Sequence, residues 1–407
     1  MKIKKPYYSV RVIIILIYTI YACVNTVRIS FDRRGSYLIL GIIIPFLVYE
    51  YVKCQINRSY TLVFSIVILW ISILYQILPE IKNTPFPFLS YIILLSLTFF
   101  PLAIYKSLMC KAYIREQKTV FVLMTFVLFY VYLNTLINIE VNQDIVHYMT
   151  KQNYLTDTGN IENVITIDQS YATIAIILLL LYYMEKSKQL WRKLVCAGIV
   201  VFLINVVLAA QYTSILFIIL ICVIIKYSVL GRISVKTLFV TLFFVVLLFF
   251  LPNILIWLAS VVQSENMTDR LNEVAILLKY GDASGYNLSS RLELYKEGIL
   301  CFLQSPIWGN ESIPINPHST FIQLAADLGI MGLIPFIYIL NMTRKRIKQT
   351  FSKEEYRAYF PIYCSFIITG MINPIVNLPV TSLVVFCYVP LGIQLLSRRE
   401  ENEKLEY

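Results

Sequence analysis

Long continuous runs of apolar residues, rather than alternating ones, recur along this 407-residue chain. A run of about 20 apolar residues can cross the hydrocarbon of a bilayer, and a spanning backbone must be helical or form a closed barrel. Because the runs do not alternate, we predict an all-α polytopic membrane protein with about 12 transmembrane helices. The predicted spans are Tyr8–Val27, Ser36–Val52, Tyr60–Leu78, Phe86–Tyr105, Thr119–Ile139, Asp168–Met184, Arg192–Ala209, Tyr212–Tyr227, Val235–Leu258, Thr320–Met342, Ala358–Ile372 and Leu378–Leu396.

The division between two of these spans depends on length alone. The stretch Arg192–Tyr227 could form one long helix, but a single helix of about 35 residues would overshoot the bilayer. We therefore predict two short helices there.

Lysine and arginine predict the orientation of these helices. With Lys2 inside, alternate connections carry most of the basic residues, as in the segments around Lys186, Arg232 and Arg344. This is the pattern of cytoplasmic loops, so both termini are expected in the cytoplasm. The first apolar run has no small-residue cleavage site and is interpreted as a retained helix.

Composition agrees with a membrane protein: 58% of the residues are hydrophobic, 14% are charged and the mean hydropathy is +0.71. The net charge of +11 is explained by topology and by contact with anionic membrane lipids. A nucleic-acid partner is not expected, because no soluble basic domain with stacking aromatics is present.

Histidine and cysteine patterns give no support for a metal or another cofactor. The chain has two histidines and eight cysteines, without a Cys-x-x-Cys or His-Glu-x-x-His motif. In the predicted topology only Cys301 falls in a sizeable external loop, so no external disulfide framework is expected.

Two predicted external loops are too long to be simple connections. They are Glu140–Ile167 and the larger Ala259–Ser319, which is where external function would be built. Within the larger loop, a Ser290/Glu293 capping pair and helical apolar spacing predict an amphipathic helix at about 291–304. Arg291 would then lie at the positive end of the helix dipole and could bind a phosphate or diphosphate. The alternative is that Arg291 pairs with lipid headgroups or with Glu293.

His318 lies where this polar loop enters an apolar helix. Pro317 fixes the backbone before it, and Thr320 with Gln323 has the spacing of a capping box. A helix N-terminus disfavours the imidazolium, so the ring should stay neutral and accept a proton. The alternative is a solvated interface histidine, which is the interpretation that we give His147.

Asp327 lies about two turns inside the same helix, on the face of Thr320 and Gln323, and should face protein or a water-filled cavity. Gly329 and Gly332 are predicted to allow close approach of another helix, and Pro335 is predicted to bend the chain.

These motifs resemble the O-antigen polymerase and O-antigen ligase superfamily of bacterial envelope enzymes. The resemblance covers Ser289–Leu333 through three motifs: Ser-Ser-Arg-Leu-Glu-Leu-Tyr from Ser289, Ser-Pro-Ile-Trp-Gly from Ser305, and Pro-His-Ser from Pro317 with the following Gly-x-x-Gly. It extends loosely to Asp168–Ala172. One departure is the turn Ala210–Ser214, where the family has a Ser-Arg-Gly-like sequence and this chain has no arginine.

The resemblance implies a metal-independent, GT-C-like glycosyltransferase in the bacterial cytoplasmic membrane. A glycan on undecaprenyl diphosphate would be transferred to another lipid-linked repeat unit on the outer face, with a flippase and a chain-length regulator as partners. His318 would be the base, Arg291 and Arg270 would bind the diphosphate, and Asp327, Ser319 and Tyr295 would support them. Arg270, or Arg33 and Arg34, could replace the missing turn arginine.

Three functions remain open at this point. Richness in Ile, Lys, Asn and Tyr favours an AT-rich genome without lipid A, and hence a capsule or cell-wall polysaccharide polymerase over an O-antigen ligase. A lipid-linked oligosaccharide flippase should have related halves and charged or broken helices near the bilayer midplane. Unusual sequence instead collects in one external loop, which favours the enzyme.

Overall fold

The computed structural model describes residues 5–24, 27, 41–42, 45–46, 100–109, 114–141, 167–209, 213–229, 250–261, 265–280, 286–310, 318–373 and 379–405. Within these ranges the fold is all helical, without a strand. The main helices are α1 Lys5–Cys23, α2 Ile114–Val141, α3 Ile167–Lys186, α4 Leu190–Ala209, α5 Thr213–Ile224, α6 Glu265–Tyr280, α7 Tyr286–Gln304, α8 Thr320–Thr350 and α9 Lys353–Ile372. We number as α10 the consecutive segments Pro379–Leu383, Val384–Tyr388 and Val389–Leu405. Residues 100–109 and 250–261 are also helical.

The predicted apolar helices are confirmed where the structure describes them. Helices α4 and α5 are separate and both pack against α3, so the prediction of two short helices was right. The predicted span Tyr60–Leu78 lies wholly outside the described residues. Most of Ser36–Val52, Phe86–Tyr105, Val235–Leu258 and the predicted loop Glu140–Ile167 also lies outside them. Four described helices are long and apolar enough to cross a membrane, namely Ile114–Asn138, Leu190–Leu208, Thr320–Thr350 and Pro379–Arg398.

The hydrophobic core is centred on α3, α9 and α10. The 18-residue window that marks α10 as a candidate span is 83% buried inside the protein. Its aromatic rings interlock with those of neighbouring helices: Phe386 meets Phe366 edge-on at 4.7 Å, and Tyr388 stacks on Phe121 at 4.6 Å between ring centroids. A π-helical segment at Val384–Tyr388 interrupts α10 beside these contacts.

Side-chain contacts divide the helix bundle into two ends. Four polar contacts define what we call the basic end: Lys106 with the Arg346 carbonyl, Lys186 with Glu354, Lys226 with Glu185, and Arg398 with Gln117. Opposite helix termini carry Asp168, Ser214, His318 and Asn373, which define the His318 end. Lys106, Lys186, Lys226 and Arg398, which the sequence places on one side of a membrane, therefore lie at one end of the bundle.

At the His318 end, the carboxylate of Asp168 caps the N-terminus of α10. It accepts hydrogen bonds from the backbone N–H groups of Val380 and Thr381, both at 2.8 Å, and from the Thr381 hydroxyl at 2.8 Å. Asp168 is 1% exposed. A buried carboxylate is tolerated here because N–H donors and the positive end of a helix surround it.

Candidate functional site

Helix α7 carries Arg291 but begins earlier than the sequence predicted. It starts at Tyr286, so Ser290 lies inside the helix and the predicted Ser290/Glu293 capping box is wrong. Arg291 is more than one turn from the helix start, where the dipole contributes little. The guanidinium must therefore act mainly through its own charge.

The faces of α7 differ in burial. Gly298 and Cys301 are buried and Tyr295 is half-buried, which places one face against the protein. A second stripe is apolar and exposed, with Leu292 at 52% and Leu303 at 64%. Such a stripe suits a helix that lies on a membrane surface.

A tight turn after α7 is locked into a break in α8. The break occurs at Gly329, which has φ +63° and ψ −158°, and Gly309 in the turn has φ +70°. Three backbone hydrogen bonds join the segments: Asn310 N–H to Ala326 O at 2.6 Å, Ile330 N–H to Pro306 O at 2.8 Å, and Met331 N–H to Ile307 O at 3.3 Å. We call this cross-link between the turn and the broken helix the glycine brace.

The glycine brace corrects the role predicted for the Gly-x-x-Gly pair. A Cβ at Gly329 would overlap the backbone of Ile307, and one at Gly309 would overlap that of Asp327. The close partner of Gly329 is thus the turn, not another membrane helix, and Gly332 is approached by the Leu328 side chain of its own helix. The main break is at Gly329, although Pro335 also lies within α8.

The N-terminus of α8 is fixed by buried polar contacts. Ser319, at 1% exposure, is the N-cap and accepts from the Ile322 N–H at 3.5 Å. Thr320 is the first helical residue and its hydroxyl donates to the Asn373 carbonyl at 3.1 Å. The predicted Thr320/Gln323 capping box is therefore wrong, because Ser319 is the N-cap and the Thr320 hydroxyl binds the Asn373 carbonyl. Ser319 has a structural role in starting the helix.

His318 lies immediately before this cap in a left-handed conformation with φ 47°. This conformation is uncommon outside glycine and changes the chain direction before the helix starts. The ring is half-buried. Burial lowers the pKa of the His318 imidazole below its usual value, and the positive charge of Arg291 lowers that pKa further. The lowered pKa favours the neutral form of the ring, and burial and Arg291 are its causes.

Arg291 thus lies within electrostatic range of both His318 and Tyr295, and we call these three residues the candidate site. Burial raises the pKa of the Tyr295 hydroxyl, while the Arg291 charge opposes that rise. Arg291 is exposed. Arg291 forms no ion pair with Glu293 or with another residue that the structure describes, so the predicted alternative of an Arg291–Glu293 pair is not observed there.

Three further polar residues border this site and were missed as site residues. The Asn373 side-chain amide donates to the Tyr171 hydroxyl, which is 2.9 Å from the Ser214 hydroxyl. Tyr171 also lies within electrostatic range of Arg291 and Tyr295. The polar Asp168–Tyr171 stretch at a helix start was a sequence signal, but nothing local pointed to Asn373 or to its pairing.

The remaining predicted site residues lie at different distances from this centre. Asp327 is half-buried beside the glycine brace, and together with burial it raises the pKa of the Cys301 thiol. Arg270 is in α6, which packs near α5, and its side chain lies outside the described side chains. Arg33, Arg34 and His147 lie outside the described residues, as do 210–212 of the turn without arginine.

The described residues contain no group of three or more His, Cys, Asp or Glu that could hold a metal ion. The described site offers one cation, one imidazole and several hydroxyls. No protein-family model matches the chain, and no curated protein matches it significantly in sequence. The resemblance to envelope polysaccharide enzymes therefore rests on the motifs alone and stays a prediction.

Proposed function

We propose that this protein is a polysaccharide polymerase of the bacterial cytoplasmic membrane, with the His318 end facing outward. Its substrate would be a glycan on undecaprenyl diphosphate, transferred to the terminal sugar hydroxyl of another lipid-linked repeat unit. The observation that carries the proposal is the convergence of Arg291 and His318. One residue can stabilise negative charge, and the other can accept a proton beside it.

In the proposed reaction, the acceptor hydroxyl oxygen forms a bond to the anomeric carbon of the donor glycan. The bond between that carbon and the diphosphate oxygen breaks, and undecaprenyl diphosphate leaves with the electron pair. His318 takes the hydroxyl proton, and Arg291 stabilises the charge that develops on the diphosphate. The proposed reaction uses His318 and Arg291 and no metal ion.

Binding of the donor would also make His318 a better base. The positive charge of Arg291 lowers the pKa of the free imidazole. A diphosphate beside Arg291 offsets that charge, so the pKa of His318 should rise toward the working pH when donor is bound. Proton acceptance would then be favoured in the complex that is ready to react.

The finer architecture is part of the same proposal. We take the chain to be polytopic with about 12 spans, similar to GT-C enzymes, since the described helices alternate between the two ends. The exposed stripe of α7 would rest on the outer membrane surface, and apolar grooves between helices would hold the polyprenyl chain.

A reporter fusion tests this orientation. A reporter after Gln263 or Gly285 should be external, and one after Ser352 should be cytoplasmic. Because Ser352 lies at the basic end, finding the reporter outside would reverse the orientation of the molecule and place the His318 end in the cytoplasm.

The decisive experiment for function is the glycan profile of a deletion strain. Loss of a polymerase should leave single lipid-linked repeat units on the outer face and remove long chains. Accumulation inside would indicate a flippase instead. Long chains that persist on undecaprenyl diphosphate without reaching a final acceptor would indicate a ligase.

A further inference from the structure

A buried polar network at the His318 end joins four helices and has no direct part in the proposed chemistry. The Asn373 carbonyl accepts from Thr320 at the start of α8, and its side-chain amide donates to Tyr171 on α3. Tyr171 in turn is 2.9 Å from Ser214 at the start of α5. Asn373 itself is the C-cap of α9 and is 3% exposed.

Apolar side chains would fill this space without the need to satisfy buried polar atoms. Elsewhere in the core, Tyr363 satisfies its hydroxyl with one bond to the Leu340 carbonyl at 3.0 Å. The Tyr171 hydroxyl instead accepts from Asn373, bonds Ser214, and lies within electrostatic range of Arg291. The Tyr171 hydroxyl thus links Asn373, which binds the start of α8, to the electrostatic environment of Arg291.

We propose that Tyr171 and Asn373 are positioning residues that keep Arg291 and the His318 segment at one fixed spacing. The network holds the first residue of α8, two positions after His318, and its tyrosine lies within electrostatic range of Arg291. The catalytic use of that spacing rests on the proposed function. The spacing itself can be measured without any glycan substrate.

The test uses the small number of histidines. Since the chain has two histidines, His147→Gln leaves His318 as the single one. Purified full-length protein with isotope-labelled histidine, in detergent micelles, can be titrated by NMR. Arg291 from α7 acts electrostatically on the ring. Tyr295 on α7 and Tyr171 on α3 lie in turn within electrostatic range of Arg291. Arg291→Gln, which removes the positive charge, supplies the reference shift.

Tyr171→Phe should raise the pKa of His318 in the same direction as Arg291→Gln, and by less, because the loosened His318 segment moves away from a cation that is still present. Asn373→Ala should do the same. Tyr363→Phe, which removes a buried tyrosine hydroxyl bond away from the site, should leave this pKa unchanged. An unchanged His318 titration in Tyr171→Phe would overturn the proposal. If that variant does not fold, Ser214→Ala tests the same network and its unchanged titration would count equally against it.

Inorganic pyrophosphate provides a second readout. We expect Tyr171→Phe to weaken its binding about fivefold, in line with about 1 kcal/mol for one hydrogen bond. Failure of the parent protein to bind pyrophosphate would count against the proposed diphosphate site. The histidine titration would still decide the positioning role, so the two failures can be told apart.

Discussion

Asp168 and Arg291 are charged residues at the same end of the bundle, and the fold treats them in opposite ways. The Asp168 carboxylate is buried and accepts two backbone N–H bonds and a hydroxyl bond at the start of α10. Arg291 is exposed, forms no ion pair within the described residues, and acts electrostatically on His318. A charge already satisfied by the fold serves stability. A charge left available beside a half-buried imidazole can serve a ligand.

The largest expected effect is on His318. His318→Ala should reduce polymer formation by about 10²–10⁴-fold, the usual contribution of a general base. Membranes that hold matched amounts of protein should be assayed for long chains against single lipid-linked repeats. His147→Ala is the control and should retain activity. Normal polymer from His318→Ala, without a histidine-dependent limb in its pH profile, would exclude the base role.

The glycine brace should come next, with an effect on folding. Gly329→Ala would place a Cβ into the Ile307 backbone and impose a left-handed conformation on alanine. We expect a loss of about 2–3 kcal/mol, from conformational strain and lost backbone bonds. Thermal unfolding in detergent measures this loss of stability.

Gly198→Ala is the matched control, because that helical glycine has open space around it. It should stabilise by about 0.5–1 kcal/mol. Equal stability of both variants would contradict the brace.

Asp168→Asn tests the structural side of the comparison. The amide keeps an acceptor but loses the charge, so α10 should lose about 1–2 kcal/mol of capping interaction. The unfolding temperature should fall, while the titration of His318 stays as in the parent protein. A displaced His318 titration at unchanged stability would show that Asp168 belongs to the chemistry after all.

Arg291→Lys tests the functional side of the comparison. We expect about a tenfold loss of polymer, because arginine binds two phosphate oxygens with a planar fork and lysine offers a point charge. Thermal stability should hardly change, since the side chain is exposed. Near-normal polymer in this variant would reduce Arg291 to a partner of lipid headgroups.

The smallest effect concerns pH. The pKa of His318 lies below its ordinary value, so the neutral base persists into mildly acidic solution and activity should fall only as the pH drops through that lowered value. The unfolded chain takes up its proton at higher pH, so this group also costs stability as the pH falls. Arg291→Gln should move the acidic limb of the residual activity to higher pH. A limb that stays in place would separate Arg291 from His318.

The helices were largely predictable from the sequence. Apolar runs long enough to span a bilayer must satisfy their own backbone bonds, so α2, α4 and α10 follow from composition and length. The distribution of Lys and Arg likewise predicted which residues gather at the basic end. Arg291 and His318 stood out because each lies in a local motif of unusual residues.

What only the tertiary structure decided was how distant residues are paired. Asp168 and Thr381, or Asn373 and Tyr171, are about 200 residues apart along the chain, and no local pattern specifies such contacts. Helix starts also depended on packing: Ser319 caps α8 because Thr320 is held by Asn373, and α7 extends back to Tyr286. The Gly-x-x-Gly spacing could be seen in the sequence, but its partner could not. A glycine permits close approach by any segment, and the three-dimensional fold determines which segment packs against it.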